Sequence, residues 1–452
     1  MNNKLQNQSC FVFGTGSVAR SANRVISSLG FSIDSYFDNN RDKWHGTFNG
    51  RPILPPETIT RKSPRPVIIA SSFYNEIQKQ LLRLGTLQQN ILVYPGYGLP
   101  NGLINAFTYT DLPHTWDTLV LPITERCNLR CAHCKRSSSG YNPTWTATPE
   151  LFRAFLSRFK PENFRECCVS GSGEATVVTD LSRYLRDAKA MGWNNLSIIT
   201  NGTCQDQHLL EMLIVERLLN TITISIEAAN EKLFQSIRGF PFSRFLRFLE
   251  LLRDIRQKAA SSMETIFNAT FGAMNLNQLS DFIELAQRYN INFVRFHPLI
   301  AYFSPGDARK YKKMCSTDHT IDDPFRADVL ESFSLMRQKA RNAGIVVSDV
   351  CGILDYLDGR CTSPPLTSMR YCWEPYRIVR VEPDGSIYPC CPMDNRHPIG
   401  NITDTPFDEI WRGPGYRKLL SVIDKGGQHH YPGCFNCPRA NGNATEQIHP
   451  VA

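Results

Sequence analysis

Residues 124–134 read Thr-Glu-Arg-Cys127-Asn-Leu-Arg-Cys131-Ala-His133-Cys134, three thiols in C-x3-C-x2-C spacing. Such a loop can bring its thiols to a single cluster, and a four-iron cluster ordinarily takes four thiolates. Three leave one iron open for a substrate or cofactor, in the way that catalytic metal sites keep a vacant position. A zinc knuckle, or three unconnected thiols, is the competing reading. The chain has fifteen cysteines in 452 residues, and no charged-then-apolar N-terminal segment of the secretory kind is present. Reducing compartments keep thiols reduced, so metal or redox chemistry in a cytoplasmic protein is expected in place of a disulfide framework. No apolar run approaches eighteen residues, so no membrane partner is expected. The net charge of +8 is spread thinly. The basic clusters at 61–65 and 309–313 are short and do not interleave with aromatics, so they read as solvated faces, with no nucleic-acid partner.

At about 150 residues per domain, the length suggests roughly three domains. In the first, over 1–100, a short strand Cys10-Phe-Val-Phe13 runs into Gly14-Thr-Gly16-Ser-Val-Ala19, and a second strand ends at Asp38. The G-x-G-x-x-A form with an acid roughly twenty positions on fits a dinucleotide fold, whose glycines let the backbone approach a pyrophosphate at a helix N-terminus. Gly14, Gly16 and Asp38 are therefore candidate nucleotide contacts in a Rossmann-like domain; a scaffold with no nucleotide is the alternative. The segment resembles small nucleotide- or sugar-nucleotide-binding domains of carbohydrate pathways.

After a Gly/Pro/Asn-rich connector, strands are predicted at 118–123, 167–170, 196–200, 221–226, 266–271 and 293–297, with amphipathic helices between most of them. Six strands alternating with helices make a parallel sheet with helices outside. The fold class is α/β, with a partial (β/α)6 barrel over 115–345 and chemistry at the C-terminal strand ends. Over 346–452 cysteines cluster and Pro and Gly are frequent, as in a small domain stapled by metal.

Residues 115–300 resemble the radical S-adenosylmethionine (SAM) superfamily, because several motifs occur in order at successive strand ends. The resemblance implies that an open iron chelates the amino and carboxylate groups of SAM, whose cleavage yields a 5′-deoxyadenosyl radical. By that resemblance Cys127, Cys131 and Cys134 ligate a [4Fe–4S] cluster, and His133 lies against the adenine. Ser170-Gly-Ser-Gly173-Glu174-Ala175 is similar to the family's Gly-Gly-Glu-Pro turn at the methionyl amine, with Ala175 in place of proline. Asn201 falls near the ribose, and Ser225 and Arg238 match positions that hold the methionyl carboxylate, a task suited to the Arg fork. His297 ends the sixth strand, either facing substrate or as a structural histidine.

Cys372, Cys390, Cys434 and Cys437 supply four more thiolates in C-x17-C-x43-C-x2-C spacing. Zinc competes for such a set. The surroundings, 382–391 with Gly400-Asn401 and Glu409-Ile-Trp411, resemble the SPASM/twitch extension of radical SAM enzymes in its form with one auxiliary [4Fe–4S] cluster. Spacing leaves Cys390 and Cys391 both open as the second ligand, with Cys390 preferred. Cys10, Cys167, Cys168 and Cys204 read as core residues. Cys315, Cys351 and Cys361 lie in polar stretches, as inert thiols or as hydrogen-atom donors to a substrate radical.

A fully ligated auxiliary cluster suits electron transfer. The expectation is therefore a radical SAM oxidoreductase that converts an alcohol carbon to a ketone, similar to those acting on aminocyclitols. The substrate is expected to be carbohydrate-like or nucleotide-linked, and the electron donor a flavodoxin or ferredoxin. Epimerisation, ribosomal-peptide modification and a zinc-stabilised nucleotide-sugar-binding module are the alternatives. Because a radical must be shielded from water, the C-terminal domain is expected to cap the barrel mouth.

Overall fold

A computed structural model describes residues 9–15, 31–59, 65–71, 74–87, 90–94, 116–137, 142–298, 324–349, 353–357, 374–391, 396–423 and 431–434, together with residues 19, 22, 23, 26, 27, 104, 105 and 393. The chain forms two compact units, one of residues 1–112 with 352–373 and one of 113–351 with 374–452.

The first unit holds a seven-stranded sheet in the order β3-β4-β2-β1-β5-β6-β7. Its strands are β1 (Ser9–Phe13), β2 (Ser32–Phe37), β3 (Thr47–Phe48), β4 (Arg51–Leu54), β5 (Val67–Ile69), β6 (Ile91–Val93) and β7 (Ile104–Asn105). β4, β2, β1, β5 and β6 run parallel, while β3 and β7 are antiparallel edges. Counted along the chain, the parallel strands stand in the order 3-2-1-4-5. The winding direction thus reverses between β1 and β5, the switch point at which doubly wound sheets open a ligand crevice. Gly14, which follows β1, sits at φ +111°, and a Cβ there would meet the Ala70 carbonyl oxygen at 2.5 Å, so only glycine fits this crossing.

The second unit is built on one ten-stranded sheet, β14-β13-β12-β11-β10-β9-β8-β15-β16-β17. β8 (Trp116–Val120), β9 (Phe164–Cys168), β10 (Leu196–Thr200), β11 (Thr221–Ile226), β12 (Glu264–Phe271), β13 (Phe293–Pro298) and β14 (Val346–Asp349) are all parallel to their neighbours. Their side chains alternate with the period of two that a sheet demands. Leu119, Cys167, Ile198, Ile224, Phe267 and Val294 are fully buried on the outer face. That face is clad by helices such as Leu181–Ala190, Phe242–Lys258 and Leu279–Arg288. The opposite, inner face carries Thr223, Ser225, Asn268 and Arg295, all partly exposed. Ile199 on this face is 43% exposed although its strand is central, which marks the inner face as an open trough.

Two features depart from the sequence expectation. β14 pairs with β13 as a seventh barrel strand, so the barrel runs past residue 345. The C-terminal region also shares the barrel's sheet. β15 (Ile378–Val381) pairs in parallel with β8, and β16 (Ser386–Tyr388) and β17 (Gly400–Asn401) follow antiparallel. Its helix Phe407–Arg412 packs Phe407 and Trp411 against Trp116 at the start of β8, with ring centroids 5.1 and 5.4 Å apart. In the described residues, then, this helix covers the N-terminal end of β8, where its aromatic side chains find apolar partners. Among the described residues no helix is long and apolar enough to cross a membrane.

Candidate active site

The loop that carries Cys127, Cys131 and Cys134 leaves β8 at its C-terminal end and is pinned along its length. Glu125 N–H donates to the Trp145 carbonyl at 2.9 Å, and the Thr124 hydroxyl meets that of Thr146 at 2.8 Å. Further on, Ala132 N–H donates to the Ile237 carbonyl at 2.7 Å and Cys134 N–H to the Cys131 carbonyl at 2.9 Å. The turn after β9 supports the loop from below. A Cβ at Gly173 would stand 2.4 Å from the Arg126 carbonyl oxygen and 2.6 Å from that of Thr124, so the backbones approach as closely as only glycine permits.

All three thiols are partly buried. Burial pushes the Cys131 thiol up to about 12 against the opposing charge of Arg238, and it raises Cys127 as well. Thiolate ligation of iron from such thiols is accompanied by proton release. Two donors already point at the Cys127 sulfur, Leu129 N–H at 3.5 Å and the Asn201 amide at 3.7 Å. Hydrogen bonds to ligand sulfur are a means of tuning iron–sulfur clusters. Among the described residues no group of three His, Cys, Asp or Glu could hold a single metal ion. A four-iron cube draws its ligands from separate corners, a wider spread than one ion's shell, and three partly buried thiols on one pinned loop, with two donors aimed at the Cys127 sulfur, fit that group.

Behind this loop lies a buried ionic network that sequence reasoning passed over. The helix Glu231–Arg238 is capped by Asn230 and ended by Gly239 in the left-handed conformation, which sets Arg238 in its last turn. There Arg238 donates through Nε to Glu227 at 2.5 Å, through Nη1 to the Asn201 carbonyl at 2.6 Å and through Nη2 to the Ser225 carbonyl at 2.6 Å. The resemblance assigned this fork to a methionyl carboxylate; here it clamps the ends of β10 and β11. Burial raises the Glu227 carboxyl, but the charges of Arg238 and His133 outweigh it and hold the group below the usual carboxylate range. His133 Nε2 stands 3.6 Å from Glu227. Burial together with Arg238 lowers the His133 imidazole despite Glu227, and its buried Nδ1 has no hydrogen-bond partner among the described residues. The signal in the sequence is an acid at a strand's close, followed eleven residues later by an arginine at a helix's close.

Glu174 is likewise turned inward. One carboxylate oxygen accepts from the hydroxyls of Thr176 at 2.7 Å and Thr200 at 2.8 Å, and the other accepts from Asn201 N–H at 2.6 Å. The side chain thus joins β9 to β10 at their C-terminal ends, and Asn201 lies between Glu174, Asn128 and Cys127. His297 is partly buried on the inner face.

Of the C-terminal thiols, Cys390 and Cys434 are partly buried and Cys391 is exposed; Cys372 and Cys437 lie outside the described residues, as do Cys315, Cys351, Cys361 and Gly16. Cys10, Cys167 and Cys204 are buried. Cys168 is also buried, on the inner face, where burial first, then Glu166 and, to a smaller extent, Cys391 raise its thiol to about 12. In the N-terminal unit, Asp38 accepts from Thr15 N–H at 3.2 Å, from Asn40 N–H at 2.9 Å and from Lys43 at 3.0 Å, besides the Thr15 hydroxyl. Burial opposes the charge on Asp38, but these donors prevail and its carboxyl is lowered. Both oxygens are thereby engaged within the turn that a ribose would have to approach.

A parallel partial barrel whose first strand ends in a three-cysteine loop defines a class of enzyme with its chemistry at the C-terminal strand ends. Residues 121–297 match the radical SAM superfamily, residues 372–438 the SPASM iron–sulfur cluster-binding domain, and residues 6–92 the C2185-like N-terminal family. The chain thus carries a radical SAM domain followed by a SPASM domain, and its cofactors are SAM and iron–sulfur clusters. An AdoMet-dependent heme synthase of Methanosarcina barkeri is 26% identical over 323 residues, covering 66% of this chain and 82% of that protein. The antilisterial bacteriocin subtilosin biosynthesis protein AlbA of Bacillus subtilis is 22% identical over 302 residues, 66% of this chain and 60% of its own length. Among solved structures, SuiB of Streptococcus suis bound to S-adenosylmethionine aligns with TM-score 0.53 at 16% identity over 77% of this chain and 79% of its own. The protein anSMEcpe with bound AdoMet aligns with TM-score 0.52 at 18% identity over 69% of this chain and 84% of its own. These structures share the fold.

Proposed function

We propose that the enzyme oxidises an alcohol carbon of a carbohydrate-like or nucleotide-linked substrate held in the barrel trough. The observation that supports this reading is the pairing of β15 with β8, which joins the strands leading to Cys390 to the strand that precedes the three-thiol loop in one continuous sheet. Cys127, Cys131 and Cys134 would hold the first cluster, and Cys372, Cys390, Cys434 and Cys437 the second. When bound, the first cluster with SAM supplies a 5′-deoxyadenosyl radical able to take a hydrogen atom, and the second supplies an acceptor for one electron. The substrate carbinol accordingly gives up a hydrogen atom, then a proton and an electron, and leaves as a ketone. Gly173 and the pinned loop fix the first site, the Arg238 clamp keeps the strand ends together, and the inner-face hydroxyls and amides orient the substrate. Recognition of a nucleotide or nucleotide-sugar is assigned to the switch point between β1 and β5. The enzyme works in the reducing cytoplasm with a flavodoxin or ferredoxin as electron donor.

Anaerobic reconstitution with iron and sulfide, followed by SAM and dithionite, tests the reading. Deoxyadenosine forms in the wild type and not in Cys127→Ala, and a sugar substrate loses two hydrogens by mass. About two zinc ions with no sulfide would overturn it. Peptide modification is the second reading, favoured by similarity to AlbA and to the mycofactocin maturase MftC of Mycobacterium ulcerans, 24% identical over 329 residues. It predicts mass changes in a peptide instead of a sugar.

A further inference from the structure

Four polar residues form one row across the inner face of the barrel. Ser225 of β11 is the register partner of Asn268 on β12, Asn268 of Arg295 on β13, and Arg295 of Ser348 on β14. All four are partly exposed. The other charged groups nearby are already engaged. Glu166 accepts from the Ser197 hydroxyl, and Arg377 donates to Asp117 at 2.7 Å and lies 3.8 Å from Glu374. Arg295 has only the face of Phe293, 5.7 Å from its guanidinium carbon; among the described residues it has neither a hydrogen bond nor an ion pair. Burial works against its charge, while Glu166 partly restores it. A partly exposed guanidinium that no protein acceptor engages leaves its donors open to a ligand, and its planar fork matches a carboxylate or a phosphate.

We infer that Arg295, flanked by Asn268 and Ser348, binds an anionic group of the substrate, a carboxylate or a phosphate ester, in the barrel trough. This rests on the reading of the trough as the substrate site and narrows the substrate to an acidic one. Neighbouring strands lie about 4.8 Å apart, so Arg295 stands two spacings, roughly 10 Å, from Ser225. The anion is anchored there, and the rest of the substrate lies back along the row towards the cluster loop.

The test uses reconstituted enzyme with SAM present and three probes in anaerobic binding titrations: glucuronate, glucose 6-phosphate and glucose. The wild type is expected to prefer at least one anionic probe over glucose by about ten-fold or more, the gain of a charge-assisted pair. Which anion is preferred identifies the group as carboxylate or phosphate. Arg295→Gln is expected to erase the preference and Arg295→Lys to restore part of it, which separates loss of the fork from loss of the fold. Equal binding of all three probes by the wild type, or an undiminished preference in Arg295→Gln, overturns the inference. So does a loss of SAM affinity in Arg295→Gln with the probe preference intact, which would make the arginine a cofactor contact. Absence of deoxyadenosine from the wild type would sink the functional reading itself, whereas deoxyadenosine without anion preference sinks this inference alone.

Discussion

At Gly173 a single methyl group decides whether the cysteine loop can lie where it does. Gly173→Ala is expected to push Arg126 and the thiols away, lowering bound iron and sulfide and abolishing deoxyadenosine formation; metal analysis before and after reconstitution reads this out. Glu227 presents the opposite case, a residue held by charge. Glu227→Gln leaves Arg238 buried without its counter-ion, and breaking such a pair costs about 3–5 kcal/mol, measurable as a drop in denaturant midpoint. The double replacement Glu227→Gln/Arg238→Met should recover much of that loss, because no buried charge then remains. The cysteines were legible in the sequence because a cluster loop is local and its spacing is printed in consecutive residues. Glu227 and Arg238 were not paired in advance, since their meeting depends on how one helix returns across a strand end. The Arg295 row was hidden for the same reason, as its four members come from four strands and register alone brings them into line.

The elements tell a similar story at longer range. Alternation of apolar and polar residues gave β8 to β13 nearly as they stand, because each strand's own pattern reports its buried face. β14 has only two apolar residues and escaped notice. The joining of β15 to β8 is set by pairing between segments about 260 residues apart, as in the Arg377–Asp117 bond, and no local pattern encodes it. Trp411 secures this junction through its contact with Trp116. Trp411→Ala is expected to destabilise the second unit by about 3–5 kcal/mol, measured by thermal or denaturant unfolding. In the first unit the turn after β1 depends on ionised Asp38. Its carboxyl is lowered on folding, so its contribution is present above the pKa of the unfolded carboxyl and is lost as pH falls through the folded value. Asp38→Asn should therefore flatten the acid limb of the first unit's stability profile, which unfolding midpoints across a pH series would reveal.

For the whole molecule, the two sets of cysteines predict a stoichiometry. Two four-iron clusters give about eight irons per chain with matching sulfide. Cys372→Ala is expected to fall to about four, still cleaving SAM but no longer completing the proposed oxidation. Iron content unchanged from the wild type would remove Cys372 from the auxiliary site.

The shared sheet also bears on the order in which the molecule can be made. β8 emerges from the ribosome early, yet one of its two edges stays without hydrogen-bond partners until β15 has been synthesised. For that interval the strand that bears the cluster loop is an open edge of the kind that pairs with strangers, and pairing across so long a separation is slow. That edge stays open until β15, ending at Val381, has been made. Iron delivered during that window would meet a loop whose supporting strand is still half-paired.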